Sequence, residues 1–303
     1  MQITQKPVAL TGGFDNDHAR GMLIAATGVL VLSFDALLIR LADSSAWNVV
    51  FWRGWLTCLA TLLLSLCLRR RQSWPQSAAL WAIAIATGVA YGINTCLFVF
   101  SISHTSAANT VVILASSPLF AALFSRIFLG ERVQRRTMIS ILVSLAGVLL
   151  VFAGSGDGGD SWQGDLAALT LAVGMGAMFT LLRRLPGLPR LPLIALSGAV
   201  AGLISWPLAE PLSLAPASYG WLALMGLVQI PLATLLIWTA PKYMPSAEVS
   251  LFMLIETVLG PVWVWLALGE TTSVFTLVGG AAILGAIGTN TWVALRQSRK
   301  RYG

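Results

Sequence analysis

Charge is what this chain has least of. Only 10% of its 303 residues are Asp, Glu, Lys or Arg, against about 25% in a soluble domain. A water-facing surface needs charge, so a soluble globular domain is excluded and lipid must cover much of the chain. Histidine is nearly absent. His18 and His104 are the two, and no metal cluster or nucleophile–base pair accompanies them, which weighs against a membrane enzyme. Cys58, Cys67 and Cys96 sit inside apolar runs without metal spacing and read as packing residues, not as a disulfide frame. No Gly-rich phosphate loop supports ATP-driven pumping. No charged ring or short re-entrant filter marks a channel. No cofactor and no metal is expected.

What is present is apolar length. The chain is 57% hydrophobic, with a mean hydropathy of +0.81. A membrane-crossing helix needs roughly 20 mostly apolar residues. Such runs fall at 21–41, 47–68, 78–100, 106–128, 137–153, 164–182, 191–209, 218–240, 246–268 and 274–295. The breaks between them carry loop chemistry: Arg69-Arg70-Arg71, Gly130-Glu131-Arg132, residues 154–160 and Pro186-Gly187-Leu188-Pro189. The loops are short, so no soluble domain is inserted. The 12 Trp and 12 Phe suit interfacial rings. Residues 1–20 read as a polar tail and not a signal peptide, because Asp15 and Asp17 precede an apolar run too long for one.

The +7 net charge could suggest nucleic acid, but its distribution points to a membrane. With ten crossings and the N-terminus on one side, that side holds 17 of the 19 basic residues, from Lys6 and Arg20 to Arg301, leaving only Arg40 and Arg53. Lys and Arg stay in the cytoplasm during insertion. Both termini are therefore expected in the cytoplasm, and one crossing more or fewer would scramble the segregation. Asp43, Asp157, Asp160, Glu210 and Glu270 fall on the other side.

The sequence also repeats. Leu129-Gly130-Glu131 and Leu268-Gly269-Glu270 close the fourth and ninth runs, 139 residues apart, and the same offset pairs Ala108 with Ala247 and Thr95 with Thr234. The first and sixth runs align at an offset of 143, including Gly21 with Gly164, Ala25 with Ala168 and Arg40 with Arg183. Five crossings per repeat is odd, so the second copy starts from the opposite side of the bilayer. The repeats are then related by an axis in the membrane plane, an arrangement suited to alternating access.

On these residues the chain resembles the drug/metabolite transporter superfamily, EamA type. The family repeat reads small residues, Pro, an apolar run and Gly-Glu; here these are Ala107, Ala108, Pro118 and Gly130-Glu131. The second copy has Ser246, Ala247 and Gly269-Glu270, but Thr257 stands where Pro is usual and Pro261 follows one turn later. The resemblance covers residues 21–295. It implies an all-α membrane protein of ten transmembrane helices, two inverted five-helix repeats around a central cavity. It also implies a carrier in the cytoplasmic membrane, closest to the aromatic amino acid exporters. The divisions are a tail over 1–20, repeats over 21–153 and 164–295, and a basic tail over 296–303.

Kinked helices at matching places in both halves point to a transporter site. Gly92 aligns with Pro231, and Pro118 and Pro261 fall in the fourth and ninth runs. These four are the expected hinges, with passive packing kinks as the alternative. The third, fourth, eighth and ninth helices, joined by the first and sixth, are expected to line the cavity. Its candidate residues are Tyr91, Asn94, Thr95 and Phe98 on one face of the third helix, with Asn109, Ser117, Thr234, Trp238 and Glu256. Interhelical hydrogen bonding is the bland alternative for each polar one.

Asp35 and Arg53 fall at similar depth on adjacent helices and are expected to form an ion pair, structural or gating. Glu256, with no basic residue at its depth, reads as a proton-coupling site, a hydrogen-bond donor to substrate or a packing residue. Glu248 reads as an acid in the first turn of the ninth helix behind Ser246 as a possible cap. Glu131 and Glu270 read as loop residues. Gly88/Gly92, Gly198/Gly202 and Ala281/Gly285 read as close-packing pairs.

The expected function is secondary export of small amphipathic metabolites, aromatic and other neutral amino acids first, with a sugar or drug-like cation as the other cargo class. A channel or structural subunit is the remaining alternative. The expected partners are the small-molecule substrate and membrane lipid, without nucleic acid, in a monomer or weak homodimer.

Overall fold

The fold is taken from a computed structural model, in which residues 14–68, 77–104, 107–153, 162–269 and 274–299 are described. Among these residues there is no strand. The helices are α1 Phe14–Leu32, α2 Asp35–Ala42, α3 Ala46–Cys67, α4 Ala78–His104, α5 Ala107–Leu114, α6 Ser117–Leu129 and α7 Arg135–Ala153. They continue with α8 Trp162–Arg184, α9 Arg190–Ser205, α10 Pro216–Leu224, α11 Ile230–Thr239, α12 Ser246–Leu268 and α13 Val274–Arg299. Helix is what a bilayer demands, since every backbone donor and acceptor must be satisfied within the chain. Among the described residues eight stretches are long and apolar enough to cross a membrane, and α6 is a shorter apolar helix. The fourth and fifth crossings are α5–α6 and α7. Large apolar side chains on the outside, such as Leu63, Ile127, Leu142 and Leu266, are exposed because lipid is their solvent.

Three of the ten crossings are interrupted. The first stops at Leu32 and restarts at Asp35. There Ser33 donates to the Leu30 carbonyl at 2.7 Å and Gln229 donates to the carbonyls of Val31 and Leu32 at 3.3 and 3.1 Å. The fourth stops at Leu114 and restarts at Ser117, with Pro118 in the first turn of α6 and Ser116 bonded to the Ile113 carbonyl at 2.6 Å. The eighth passes through a π-helical segment, Met225–Gln229, just before Pro231.

The repeat counterparts of these three, α8, α12 and α4, are unbroken. Two sequence expectations are corrected here. Gly92 lies within a continuous α4, and α12 runs without interruption through Pro261, whose side chain lies outside the described residues. Breaks thus do not occur at matching places. The two copies hold different shapes.

Glycines set the close crossings. A Cβ at Gly54 would lie 2.7 Å from the Gly198 carbonyl oxygen, joining α3 to α9; at Gly92 it would lie 2.7 Å from the Ser197 oxygen, joining α4 to α9. At Gly147 it would lie 2.9 Å from the Gly279 oxygen, joining α7 to α13. Gly285, by contrast, faces open space. The two Leu-Gly-Glu repeats share one conformation at their glycines: Gly130 and Gly269 end α6 and α12 with φ of +67° and +69°, the left-handed cap that glycine adopts without strain.

The start of α1 meets the start of α12 through His18 and Glu248. The start of α7 meets the second half of α13 through Arg136 and Asn290. Both ends of the described chain therefore lie on one face, called here the terminal face; the other is the far face.

Candidate functional site: a central cavity

Between the two halves lies a cavity of about 170 Å³. α2 and α3 bring Asp35, Arg53 and Thr57 to it, and α4 brings Tyr91, Asn94, Thr95 and Phe98. α9 adds Ser197, α11 adds Thr234 and α12 adds Glu256. The break after Leu32 is what aims Asp35 inward: α2 starts at that residue, so its carboxylate sits at a helix N-terminus, where negative charge is favoured. Arg53 donates to Asp35 Oδ2 at 3.0 Å. The two side chains keep 13% and 17% exposure, so they face the cavity rather than solid packing. Asp35 Oδ1 has no hydrogen-bond partner among the described residues. Glu256 faces the same space as this pair.

The polar groups are not equally free. Thr95 donates to the Tyr91 carbonyl at 3.1 Å, and Ser197 donates to that of Ile194 at 2.8 Å. Thr57 donates to the Gly226 carbonyl at 3.1 Å, tying α3 to the π segment. Asn94 packs against α8 so closely that a Cβ at Gly174 would lie 2.6 Å from its Nδ2. An adjoining cavity of about 240 Å³ shares Phe98, Leu114, Met175, Met253 and Glu256 with the first.

Of the sequence candidates, Tyr91, Asn94, Thr95, Phe98, Thr234, Glu256, Asp35 and Arg53 come together around the central cavity. Ser117 does not; it bonds Ser250 at 3.0 Å and borders only the adjoining cavity. Trp238 is corrected from lining residue to floor. It is 1% exposed and stands edge-on behind the Tyr91 ring, centroids 4.8 Å apart. The side chain of Asn109 lies outside the described residues.

Of the four hinge candidates, Pro118 and Pro231 adjoin breaks. Gly92 is a contact glycine whose missing side chain admits Ser197 and Val200.

Sequence reasoning missed Thr57 on the second crossing and Ser197 on the seventh. Arg53, one turn before Thr57, was the available signal for the first; Ser197 sits in an apolar run with no proline or charge beside it, so nothing distinguished it from a packing hydroxyl. It also missed Gln229, whose place two residues before Pro231 was the available signal.

The terminal side of this site is shut by Trp238, Phe179, Leu182, Ile194 and Met244, all fully buried. Arg190 fastens that floor, donating to the Trp238 carbonyl at 2.8 Å and to those of Pro186 and Leu188. Nearby, Arg183 donates to Glu131 at 3.1 Å, so Glu131 is a cross-helix tie as well as a loop residue. Glu270 lies outside the described residues. Among the described residues no group of three or more His, Cys, Asp or Glu could hold a metal ion.

Comparison with known proteins matches the EamA-like transporter family twice, over residues 19–153 and 162–291. The pseudopaline exporter CntI of Pseudomonas aeruginosa is 25% identical over 291 residues, covering 92% of this chain and 97% of that one. A relative from Bacillus subtilis named uncharacterized transporter YdfC is 24% identical over 188 residues, 60% of this chain and 61% of its own. A solved crystal structure superposes with a TM-score of 0.76 at 17% identity, covering 91% of this chain and 99% of the other; that likeness speaks for the fold alone.

Proposed function

Because this chain belongs to the EamA-like transporter family, we propose that it exports small zwitterionic metabolites, aromatic and other neutral amino acids first, by alternating access. Its family makes it a multi-pass membrane transporter of a small molecule. The cargo, the direction and the membrane are the proposal: outward across the cytoplasmic membrane, by a monomer or weak homodimer with both chain ends in the cytoplasm.

The observation that carries the reading is the charge arrangement of one cavity. Arg53 offers a guanidinium to a carboxylate, while Asp35 Oδ1 and Glu256 offer acceptors to an ammonium. Tyr91 and Phe98 offer apolar faces beside them. A ligand with one zwitterionic end and one apolar end meets complementary groups at both. Basic residues concentrated on the terminal face support its cytoplasmic orientation.

Flux from proteoliposomes loaded with tryptophan, phenylalanine, threonine or glucose tests this. Saturable efflux with counterflow for the amino acids and none for glucose is expected, and absence of all amino-acid flux overturns it. The relative named a pseudopaline exporter motivates a second reading, that this chain carries pseudopaline. Its sign would be pseudopaline flux without amino-acid flux in the same vesicles.

A further inference from the structure

A second polar cluster lies apart from the cavity, at the terminal face. Glu248, in the first turn of α12, is 2% exposed. His18 Nε2, near the start of α1, lies 2.8 Å from Glu248 Oε2. Thr137 on α7 donates to Oε1 at 3.2 Å, and Arg136 Nη2 lies 3.6 Å from the same oxygen. Asn290 on α13 completes the cluster: its side-chain oxygen is 3.4 Å from the Thr137 hydroxyl, and its carbonyl accepts from Arg136 at 3.4 Å. The first and fifth crossings therefore meet the ninth on one buried carboxylate, and the tenth joins through Thr137 and Arg136. A first-turn acid serving only the helix dipole needs none of this: Glu248 is a cross-helix tie as well, and Ser246 bonds the Phe179 carbonyl at 3.2 Å instead of capping α12.

The position matters as much as the bonds. α1 leads directly to the break that aims Asp35, and α12 carries Glu256 about two turns beyond Glu248. To open the cavity toward the terminal face, α1 and α12 must part there. Besides apolar packing, the His18–Glu248 pair is the hydrogen bond described between their terminal-face ends. The other charged groups facing it are Arg136, already on the carboxylate, and Glu131 and Arg132. These two share a cavity of about 210 Å³ with Glu248 and Thr137, and Glu131 is engaged by Arg183. With a neutral imidazole the carboxylate accepts from an uncharged ring N–H; with an imidazolium both partners carry charge, and an ion pair is added to the hydrogen bond. The His18 side chain is 21% exposed, so solvent at the terminal face can deliver or accept the proton.

We propose that His18 and Glu248 form a proton-binding latch, separate from the substrate cavity. Proton bound, it ties α1 to α12 and keeps the terminal face shut; proton released to that face, it lets the two helices part. Opening and proton release are then one event. The inference rests on the alternating-access reading, but its readout needs no substrate, so its failure and that of the cargo assignment are distinguishable.

The test places a reporter in the floor, Met244→Cys, in protein whose Cys58, Cys67 and Cys96 are replaced by Ser. Labelling by an impermeant thiol reagent is followed from about pH 5 to pH 8, across which imidazoles change charge. It is normalised to denatured protein at each pH to remove thiol ionisation. With His18 present, the labelled fraction should rise about fivefold over that range, the loss of an ion pair at the upper end for one that solvent reaches. His18→Gln should give a flat profile, and Glu248→Gln a flat and high one. A flat profile with His18 present, or an unchanged slope in His18→Gln, overturns the latch. His18 is partly exposed at a helix start, so its variant carries the test even if Glu248→Gln does not fold.

Discussion

A guanidinium inside a bilayer needs a counter-charge, and Asp35 supplies it to Arg53 at 3.0 Å. Removing one partner strands the other. Asp35→Asn should lower stability by about 2 kcal/mol, less than the 3–5 kcal/mol of a fully buried pair because water in the cavity shares the load. The joint change Asp35→Leu with Arg53→Met should recover most of that loss in thermal unfolding while leaving flux absent, which separates the pair's structural part from its binding part. Glu256 makes the complementary case. Glu256→Gln keeps its shape and removes its charge change, so substrate binding should persist while any pH-driven component of flux disappears; an unchanged pH dependence would rule out proton coupling through it.

Among elements, small residues decide how near two helices come. α3 and α9 approach until the space at Gly54 is occupied by the Gly198 carbonyl. Gly54→Leu should therefore force the two helices apart and destabilise the protein by about 3 kcal/mol, the upper end for overpacking. Gly285→Leu should change stability by no more than about 0.5 kcal/mol, because no described atom stands within 4 Å of a Cβ there. Melting of the two variants in the same detergent checks both. The sequence pattern of small-residue pairs could not rank them: Gly198/Gly202 and Ala281/Gly285 look alike along the chain, and only the neighbour across the interface makes one of them tight.

For the whole molecule, asymmetry between the repeats matters most. α5–α6 is broken where α12 is whole, and Ser117 on α6 touches Ser250 on α12 at 3.0 Å. In the alternating-access reading this contact belongs to the conformation described here. A Ser117→Cys, Ser250→Cys pair in a background without the native cysteines should form a disulfide on mild oxidation and stop transport, with activity restored by reductant. Continued flux in the cross-linked protein would mean that α6 and α12 do not move apart at that point.

The ten crossings, the helical class, the duplicated five-helix plan and the glycine caps at Gly130 and Gly269 were legible in the linear chain. Each is a local property: run length, loop chemistry, charge distribution and a repeated tripeptide are all short-range signals. Most of the cavity was legible as well, because Tyr91, Asn94, Thr95 and Phe98 share one face of a single helix, and helical periodicity reports that directly. The tertiary structure alone decided what depends on a partner far away in sequence. It put Trp238 beneath the cavity instead of in its wall, made Gly92 a contact instead of a hinge, and joined Glu248 to His18 across 230 residues. The interruptions in the first, fourth and eighth crossings also came from it. Two copies of one pattern can adopt two shapes, and which copy bends is set by packing between the halves, which no single segment encodes.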